Sequence, residues 1–177
     1  SYQLLDVQEQ RFFRHLSVFA SGCTLAAAEA VFAAPGEGEL FVLDGVASLI
    51  DKSLLQQTEQ EADEPRLIML ETIREYGQEC LVASGEMEAT QQAHATYYLA
   101  LAEQAESVFG ASWLEQLERE HDNLRAALHW SLEPAQETEA VQRIELALCL
   151  SAALQRFWMI RGHVSEGRIF LSRALAQ

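Results

Sequence analysis

Apolar residues recur every three to four positions along most of the chain, which is the spacing of one face of an α-helix. The pattern predicts helices over residues 6–19, from an N-cap at Thr24, over about 40–52, and over 72–83. A Pro-Gly-Glu-Gly cluster at residues 35–38 separates the second helix from the third. The predicted inward side chains are Phe12, Leu16 and Phe19; Leu25, Ala28, Val31 and Phe32; Leu43, Val46, Leu49 and Ile50; and Ile73, Tyr76 and Cys80.

Two short segments between the third and fourth predicted helices have a strand-like pattern. Residues 54–58 and 66–70 flank an acidic stretch at 59–64 that is followed by Pro65. Two short strands around a polar loop predict a β-hairpin. Three helices followed by a hairpin is the order of elements in a winged-helix domain, which we place at residues 1–84.

The rest of the chain, residues 85–177, has helical spacing throughout. Helices are predicted over 87–109, from Trp113, over 141–161 with Gly162 ending the helix, and over a last segment after it. The stretch 124–131 either continues the helix from Trp113 or belongs to a new helix that starts at Asp122. The inward residues include Ala93, Tyr97, Leu101 and Ala105; Leu124, Ala127, Leu128 and Ser131; Ile144, Leu148, Ser151, Leu154 and Trp158; and Phe170, Leu171, Ala174 and Leu175.

Antiparallel helix pairs with alanine against aromatic residues are typical of tetratricopeptide-type repeats, although the usual period of about 34 residues is not cleanly visible. The predicted fold is therefore mainly α: a winged-helix domain with a small β-hairpin, then an antiparallel helical-repeat array. The last helix has an apolar face that the preceding helices do not fully cover. We therefore expect the array to continue after Gln177.

The charge of the chain is strongly acidic. Its 177 residues include 27 acidic and 12 basic side chains, for a net charge of −15, and Lys52 is the single lysine. Both halves share this character, with 14 acidic and 5 basic residues in 1–84 and 13 and 7 in 85–177. Neither half offers the basic patch that nucleic acid or an anionic membrane attracts.

Cysteines and apolar runs indicate a cytoplasmic location. Cys23, Cys80 and Cys149 are odd in number and far apart, as expected for reduced thiols packed in a core. No apolar run approaches the roughly 20 residues that span a bilayer, so no membrane association is predicted. No nucleophile–base pair is visible either, and we predict no catalytic residue and no enzyme activity.

Six stretches resemble one segment of the bacterial STAND-class signalling ATPases, which are related to the NB-ARC group and include LuxR-type and antibiotic-regulator-type transcriptional regulators. They lie at residues 11–31, 43–57, 66–79, 94–103, 120–130 and 161–168. In that family an ATPase lies N-terminal to this region, the winged helix holds it closed, and the helical repeats sense a signal. The resemblance implies two partners: the ATPase module of the same polypeptide, and an unknown protein or small-molecule inducer.

The ATPase itself is not expected within this chain. A P-loop needs the pattern G-x-x-x-x-G-K-[ST], and Lys52 has no glycine at the required spacing before it. We predict no cofactor site here, and ATP or ADP only in an upstream domain. The start at Ser1, close to a helical pattern, suggests a fragment of a longer polypeptide.

DNA binding by the predicted third helix is not expected. The helix at 40–52 carries Asp44 and Asp51 and ends at Lys52, and the loop at 59–64 is acidic. A helix in the major groove needs basic or amide side chains toward bases and phosphates. Two alternatives remain: a DNA-binding winged-helix transcription factor, and a free-standing tetratricopeptide scaffold that binds a peptide.

Candidate contact residues lie near the end of the chain. Arg161 and Arg168 bracket Glu166 and either bind an anionic ligand or pair with carboxylates. Trp158 belongs either to the core or to a partner-binding surface, since aromatic residues dominate interface hot spots. Core positions are predicted for the aromatic set Trp113, Trp130, Phe157 and Trp158.

No metal site is predicted from the histidines. His163 and Glu166 are three apart, which can form half of a metal site. His121 lies beside Glu120 and Asp122, but no second pair with matching spacing is apparent. We expect Glu120, Asp122, Asn123 and Arg125 to cap helix ends and to pair across the repeat.

Overall fold

The computed structural model describes residues 2–32, 39–58, 65–107 and 111–176, and it is mainly α-helical. The backbone divides into two compact units, one up to His94 and one from Ala95 onward, and a single helix runs through the division. The predicted boundary between residues 84 and 85 stays a prediction. The elements are α1 Val7–Leu16, α2 Leu25–Phe32, α3 Glu39–Asp51, β1 Gln56–Thr58, β2 Arg66–Ile68, α4 Glu71–Ser84, α5 Met87–Ser107, α6 Ala111–Arg119, α7 His121–Ser131, α8 Glu137–Arg161 and α9 Val164–Leu175.

In the first unit, α1 is the helix against which α2, α3 and α4 pack. Asp6 and Glu9 form a capping box at its start, in which each side chain accepts from the other's backbone N–H, at 2.8 and 2.9 Å. Phe12 and Phe13 are fully buried on this helix, and the Phe12 ring meets Phe32 of α2 edge-on at 5.1 Å. Thr24 caps α2 as predicted, because its Oγ1 accepts from the N–H of Ala27.

The hairpin is antiparallel, as predicted, but shorter than its apolar pattern indicated. Gln56 pairs with Ile68 and Thr58 with Arg66. A backbone bridge between Cys23 and Leu67, with N···O distances of 2.9 and 2.8 Å, adds the segment before α2 to the same sheet. Helices α1 to α3 followed by this hairpin confirm the winged-helix arrangement. The predicted breaker cluster at 35–38 and the acidic loop at 59–64 lie outside the described residues.

Four predicted helix faces are wrong in part, and on α9 the predicted inward residue Leu175 is 76% exposed. On α3, Leu43 is 48% exposed, and Val42 occupies the core instead. The α4 prediction of Ile73, Tyr76 and Cys80 is displaced, since Gly77 and Leu81 are the buried residues. On α5 the buried residues are Thr90, His94, Ala95, Tyr98, Ala102 and Ala105, whereas Ala93, Tyr97 and Leu101 are half-buried. A long helix with apolar residues on several sides allows such a rotation of the buried face.

In the second unit, α6 packs on α7, α7 on α8, and α8 on α9. Helix α6 ends before Glu120, and α7 begins after it. The segment is therefore a separate helix, which is the second of the two predicted possibilities. Gly162 ends α8 in the left-handed region at φ +85°, as predicted. The predicted core aromatics are confirmed as buried: Trp113, Trp130, Phe157 and Trp158.

The cysteines differ from their prediction as core thiols. All three are free, but only Cys23 is buried, while Cys80 is half-buried and Cys149 is exposed on α8. The helical spacing that placed Cys149 inward fails because α8 has a long apolar stretch whose buried side is set by Ala147, Leu150 and Leu154. No described helix combines the length and apolar character needed to cross a membrane.

Candidate functional site

Helix α3 occupies the position of the recognition helix in a winged-helix domain, and its outer face is apolar and acidic. Leu43, Asp44, Ala47 and Asp51 are exposed along it. The helix contains no lysine or arginine. A face of this composition lacks the donors that read base edges or hold phosphates.

Lys52, at the end of α3, is engaged by α1. Its ammonium donates to Glu9 Oε1 at 2.6 Å and to Ser48 Oγ at 2.8 Å, and Ser48 Oγ also donates to Glu9. These contacts, with those from the Asp6 backbone, lower the pKa of Glu9 to about 2. The single lysine of the chain thus ties α3 to α1 rather than standing free at the surface.

Every other basic residue of the first unit also has a partner. Arg11 and Arg14 contact Glu86 at 3.5 and 2.6 Å, and Arg74 contacts Glu71 at 2.6 Å. Arg66, on the hairpin, is buried and donates to the carbonyl oxygen of Gly22 at 3.0 Å. The described part of this unit therefore presents no cluster of cations to a phosphate backbone.

Glu120 is a buried carboxylate at the junction of α6 and α7. It accepts from the Tyr98 hydroxyl of α5 and from the Asn123 side-chain amide, both at 2.9 Å. Asp122 pairs loosely with Arg125 at 3.9 Å, and Arg125 reaches across to Glu166 of α9 at 3.2 Å. The group predicted to pair across the repeat does so through Glu120 and Arg125, but the predicted capping is wrong at the start of α7, where Glu120 makes no side-chain cap hydrogen bond.

A polar cluster lies where the α6–α7 junction faces the α8–α9 turn. His121 Nε2 is 2.8 Å from Glu166 Oε1, and His163 Nε2 is 3.7 Å from Glu118 Oε1. The two imidazole rings are 4.4 Å apart. We call these residues the α6–α9 polar cluster: Glu118, His121, Arg125, Arg161, His163 and Glu166.

Sequence reasoning missed Glu118 in this cluster. His121 was considered beside Glu120 and Asp122, which are adjacent in sequence but have other partners, since Glu120 accepts from Tyr98 and Asn123 and Asp122 pairs with Arg125. The available signal was a mirrored spacing, in which Glu118 precedes His121 by three residues and His163 precedes Glu166 by three. Only the packing of α7 on α8 and α9 brings the two pairs together.

The three predicted contact residues do not form one site. Trp158 is 3% exposed and stacks on Phe170 of α9 at 6.3 Å. Arg161 is exposed and pairs with Glu118 at 3.5 Å, within the polar cluster. Arg168 is exposed on α9. Trp158 and Arg168 both line an open groove of about 350 Å³, together with Met159, Val164, Leu171 and Leu175.

The groove has the character of an interaction surface. Met159 and Val164 are each more than half exposed at its rim, and Leu175 is 76% exposed. Contiguous apolar surface of this kind marks contact sites for apolar groups or helices. The part of the prediction that joins Trp158 to Arg168 is compatible with this groove, whereas Arg161 has a carboxylate partner inside its own unit.

Comparison with known proteins places the first unit in a recognised class. Residues 5–82 match the family model described as a winged helix-turn-helix domain. Over 170 residues, 94% of the chain, it is 38% identical to proteins of Mycobacterium bovis and of two strains of Mycobacterium tuberculosis, which are named as HTH-type transcriptional regulators. The chain spans 18% of the length of these relatives. A search of solved structures finds no match.

The match at 5–82 covers α1 to α4 and the hairpin, the elements that the structure assembles around Phe12 and Phe13. The similarity to the mycobacterial proteins extends further, over both units. Residues 5–82 are therefore similar in sequence to a winged helix-turn-helix domain, and their helices and hairpin have the winged-helix arrangement.

Proposed function

We propose that this chain is a segment of an HTH-type transcriptional regulator. The observation that supports the proposal most is the 38% identity over 94% of the chain to proteins named as such regulators. The identity covers the winged helix together with the helices that follow it, so the two units have been kept together in these relatives. A non-enzymatic role agrees with both the domain class and the names of the relatives.

Within such a regulator, α3 contacts protein rather than duplex DNA. The support is physical: an outer face of Leu43, Asp44, Ala47 and Asp51, and a basic set in the first unit that is already partnered. Partly apolar, acidic surfaces suit a protein partner with basic and apolar groups. The resemblance to STAND-class proteins supports an ATPase module of the same polypeptide as that partner.

The helices of the second unit receive the signal in this scheme. The groove beside Trp158 and Arg168 offers an apolar floor with one cation at its edge, which suits an inducer with an apolar body and an anionic group. Binding shifts the regulator only if the groove differs in affinity between the closed and open states.

Direct DNA binding is the second candidate, and the comparisons favour it over an ATPase-contacting role. The matched domain is of the winged helix-turn-helix class, and the relatives are named as HTH-type regulators. In this candidate α3 enters the major groove and the hairpin lies along the backbone. The acidic residues of α3 disfavour DNA binding, so the choice between the two candidate functions depends on a binding measurement.

Fluorescence anisotropy with a labelled duplex tests the two candidates. The purified chain is titrated into DNA at low salt, where electrostatic binding is strongest, and then at rising salt. We expect no saturable binding at any salt concentration. Saturable, salt-sensitive binding that Ala47→Glu on the outer face of α3 weakens and Ala83→Glu on α4 leaves intact would establish α3 as a DNA-binding helix instead.

The ATPase part of the proposal has its own test in the parent gene. We expect a P-loop sequence in the same reading frame as residues 1–177. If it is present, Asp44→Lys in the full protein should change nucleotide-dependent activity, while Glu75→Lys, an exposed acidic site on α4, should not. A parent frame without a P-loop would remove the ATPase partner from the proposal.

A further inference from the structure

We propose that the α6–α9 polar cluster is a binding site for a divalent transition-metal ion of the zinc class. Glu118, His121 and His163 each offer a ligand atom, and these atoms all lie within 4.8 Å of one another. A tetrahedral shell with zinc–ligand bonds of about 2.0–2.1 Å separates ligand atoms by roughly 3.3 Å. The three side chains therefore need only small rotations to share one ion.

The two halves of the site have matching construction. Glu118 and His121 come from the α6–α7 junction, and His163 and Glu166 come from the start of α9, and the members of each pair are three positions apart. Pairs of carboxylate and imidazole at this spacing, contributed by facing helices, are a known way to build a metal site inside a helical domain.

Arginines hold both carboxylates in an orientation that suits coordination. Arg161 lies 3.5 Å from Glu118 Oε2, which leaves Oε1 toward His163. Arg125 lies 3.2 Å from Glu166 Oε2, which leaves Oε1 toward His121. Partners of this kind orient metal ligands in many sites. They also bring positive charge near the ion, so we expect moderate rather than very tight affinity.

His163 supplies an independent indication of a ligand. Its Nε2 atom is buried and has no hydrogen-bond partner among the described residues, since Glu118 Oε1 at 3.7 Å is beyond hydrogen-bond distance. A buried ring nitrogen without a partner is uncommon in folded proteins. A metal ion between His163 and Glu118 satisfies that nitrogen.

The donor set selects the class of ion. Two imidazoles with carboxylates suit zinc and its neighbours in the first transition row, whereas magnesium and calcium prefer oxygen ligands alone and copper(I) prefers sulfur. Glu166 is not one of the three ligands; it lies 2.8 Å from His121 Nε2 and orients that ring, so a water molecule would take the fourth position. The ion would clamp the α6–α7 junction to the α8–α9 turn.

Calorimetric titration of the chain with Zn²⁺ at neutral pH, supported by the visible spectrum of the Co²⁺ form, tests the proposal. We expect one ion per chain, a tetrahedral cobalt spectrum, and a higher melting temperature with metal, because the folded chain binds it. His121→Gln and His163→Gln should each weaken zinc binding by about tenfold to a hundredfold or more. Substitution of residues that only orient metal ligands already causes a loss of this size.

Two variants control for adventitious binding. His129→Gln removes an exposed imidazole on α7 outside the cluster, and Cys149→Ser removes the exposed thiol on α8. Both should bind zinc like the parent chain. Circular dichroism shows whether either variant disturbs folding. His163→Gln removes no Nε2 hydrogen bond between described residues, so it still tests the site if His121→Gln does not fold. The absence of stoichiometric binding, binding unchanged in His163→Gln, or binding lost in either control overturns the proposal.

Discussion

Gly167 is the residue at which the packing of α8 against α9 leaves no space for a side chain. A Cβ atom built there would overlap the Trp158 ring, lying 2.7 Å from Cδ2 and 2.9 Å from Cζ3. Trp158 is itself held by its stacking on Phe170, so the ring has little freedom to move away. Helices α8 and α9 can therefore pack this closely only because residue 167 is a glycine, which has no Cβ atom.

Gly167→Ala should destabilise the chain by about 1–3 kcal/mol, the usual cost of overpacking. The alanine also gains helix propensity, which offsets roughly 0.5–1 kcal/mol of that cost. Urea denaturation followed by circular dichroism measures the difference. Ser165→Ala, at an exposed site on the same helix, should stay within about 0.5 kcal/mol of the parent. Equal stabilities for the two variants would contradict the packing argument.

Glu120 shows how a charged residue is used structurally in the second unit. It is 5% exposed and serves as acceptor for both Tyr98 and Asn123. Hydrogen bonds to a carboxylate are stronger than neutral ones, and their loss in a buried place leaves desolvated donors behind. Glu120 therefore links α5 to α7 at the junction between α6 and α7.

We expect Glu120→Ala to lower the free energy of unfolding by about 1–3 kcal/mol, the cost of losing a buried acceptor. The matched change is Glu115→Ala, an exposed glutamate on α6. Thermal and urea melts of both variants provide the measurement. The interpretation of Glu120 as a structural acceptor fails if the two substitutions are equally mild.

At the scale of the elements, the Lys52–Glu9 contact joins α3 to α1. The lowered pKa of Glu9, about 2, means that this carboxylate is charged more readily in the folded chain than in the unfolded one. The stabilisation is fully present above the unfolded pKa of about 4.5 and is lost as the pH falls toward 2. Acid therefore loosens α3 from α1 over this interval.

Lys52→Met should raise the pKa of Glu9 toward its ordinary value, because the largest single cause of its lowering is the hydrogen bond from Lys52. The Ser48 and backbone bonds remain, so the pKa should stay below 4.5. A carboxyl-carbon NMR titration reads the value directly. Arg74→Met, which removes a cation paired with Glu71 on α4, should leave Glu9 unaffected. If Lys52→Met leaves the titration of Glu9 unchanged, the hydrogen bond between Lys52 and Glu9 is not formed in solution.

Element types were largely predictable from the sequence, because spacing records which positions an element buries. Thr24, Gly162 and the pair of strands gave local signals, and the structure places a helix start, a helix end or a strand at or next to each. Which side of each helix is buried was less predictable. Leu43 has the correct helical spacing for the core but lies on the outside, because which neighbour covers α3 is a tertiary fact.

The polar cluster shows the same limit for sites. His121 and His163 lie 42 positions apart, and neither is unusual within its own stretch of sequence. Their rings meet because α7 packs on α8 and Gly162 turns the chain into α9. Mirrored i, i+3 pairs were visible before folding, but only long-range packing distinguishes a shared site from two separate surface pairs.

For the whole molecule, the distribution of charge has more influence than any single ion pair. The described pairs are largely at the surface, and such pairs contribute little individually. The excess of 15 negative charges is shared by both halves of the chain. Mutual repulsion of this kind destabilises a compact state.

We therefore expect salt to stabilise the chain at neutral pH. Sodium chloride shortens the screening distance to about 10 Å at 0.1 M, which weakens the long-range repulsion more than the close ion pairs. The midpoint of urea unfolding should rise as salt is added, urea being chosen because it carries no charge. Near pH 4.6, where the sequence has no net charge, the same addition should have little effect. If salt lowers the midpoint at neutral pH, the specific ion pairs outweigh the repulsion, and contacts such as Arg14–Glu86 contribute more to stability than surface pairs usually do.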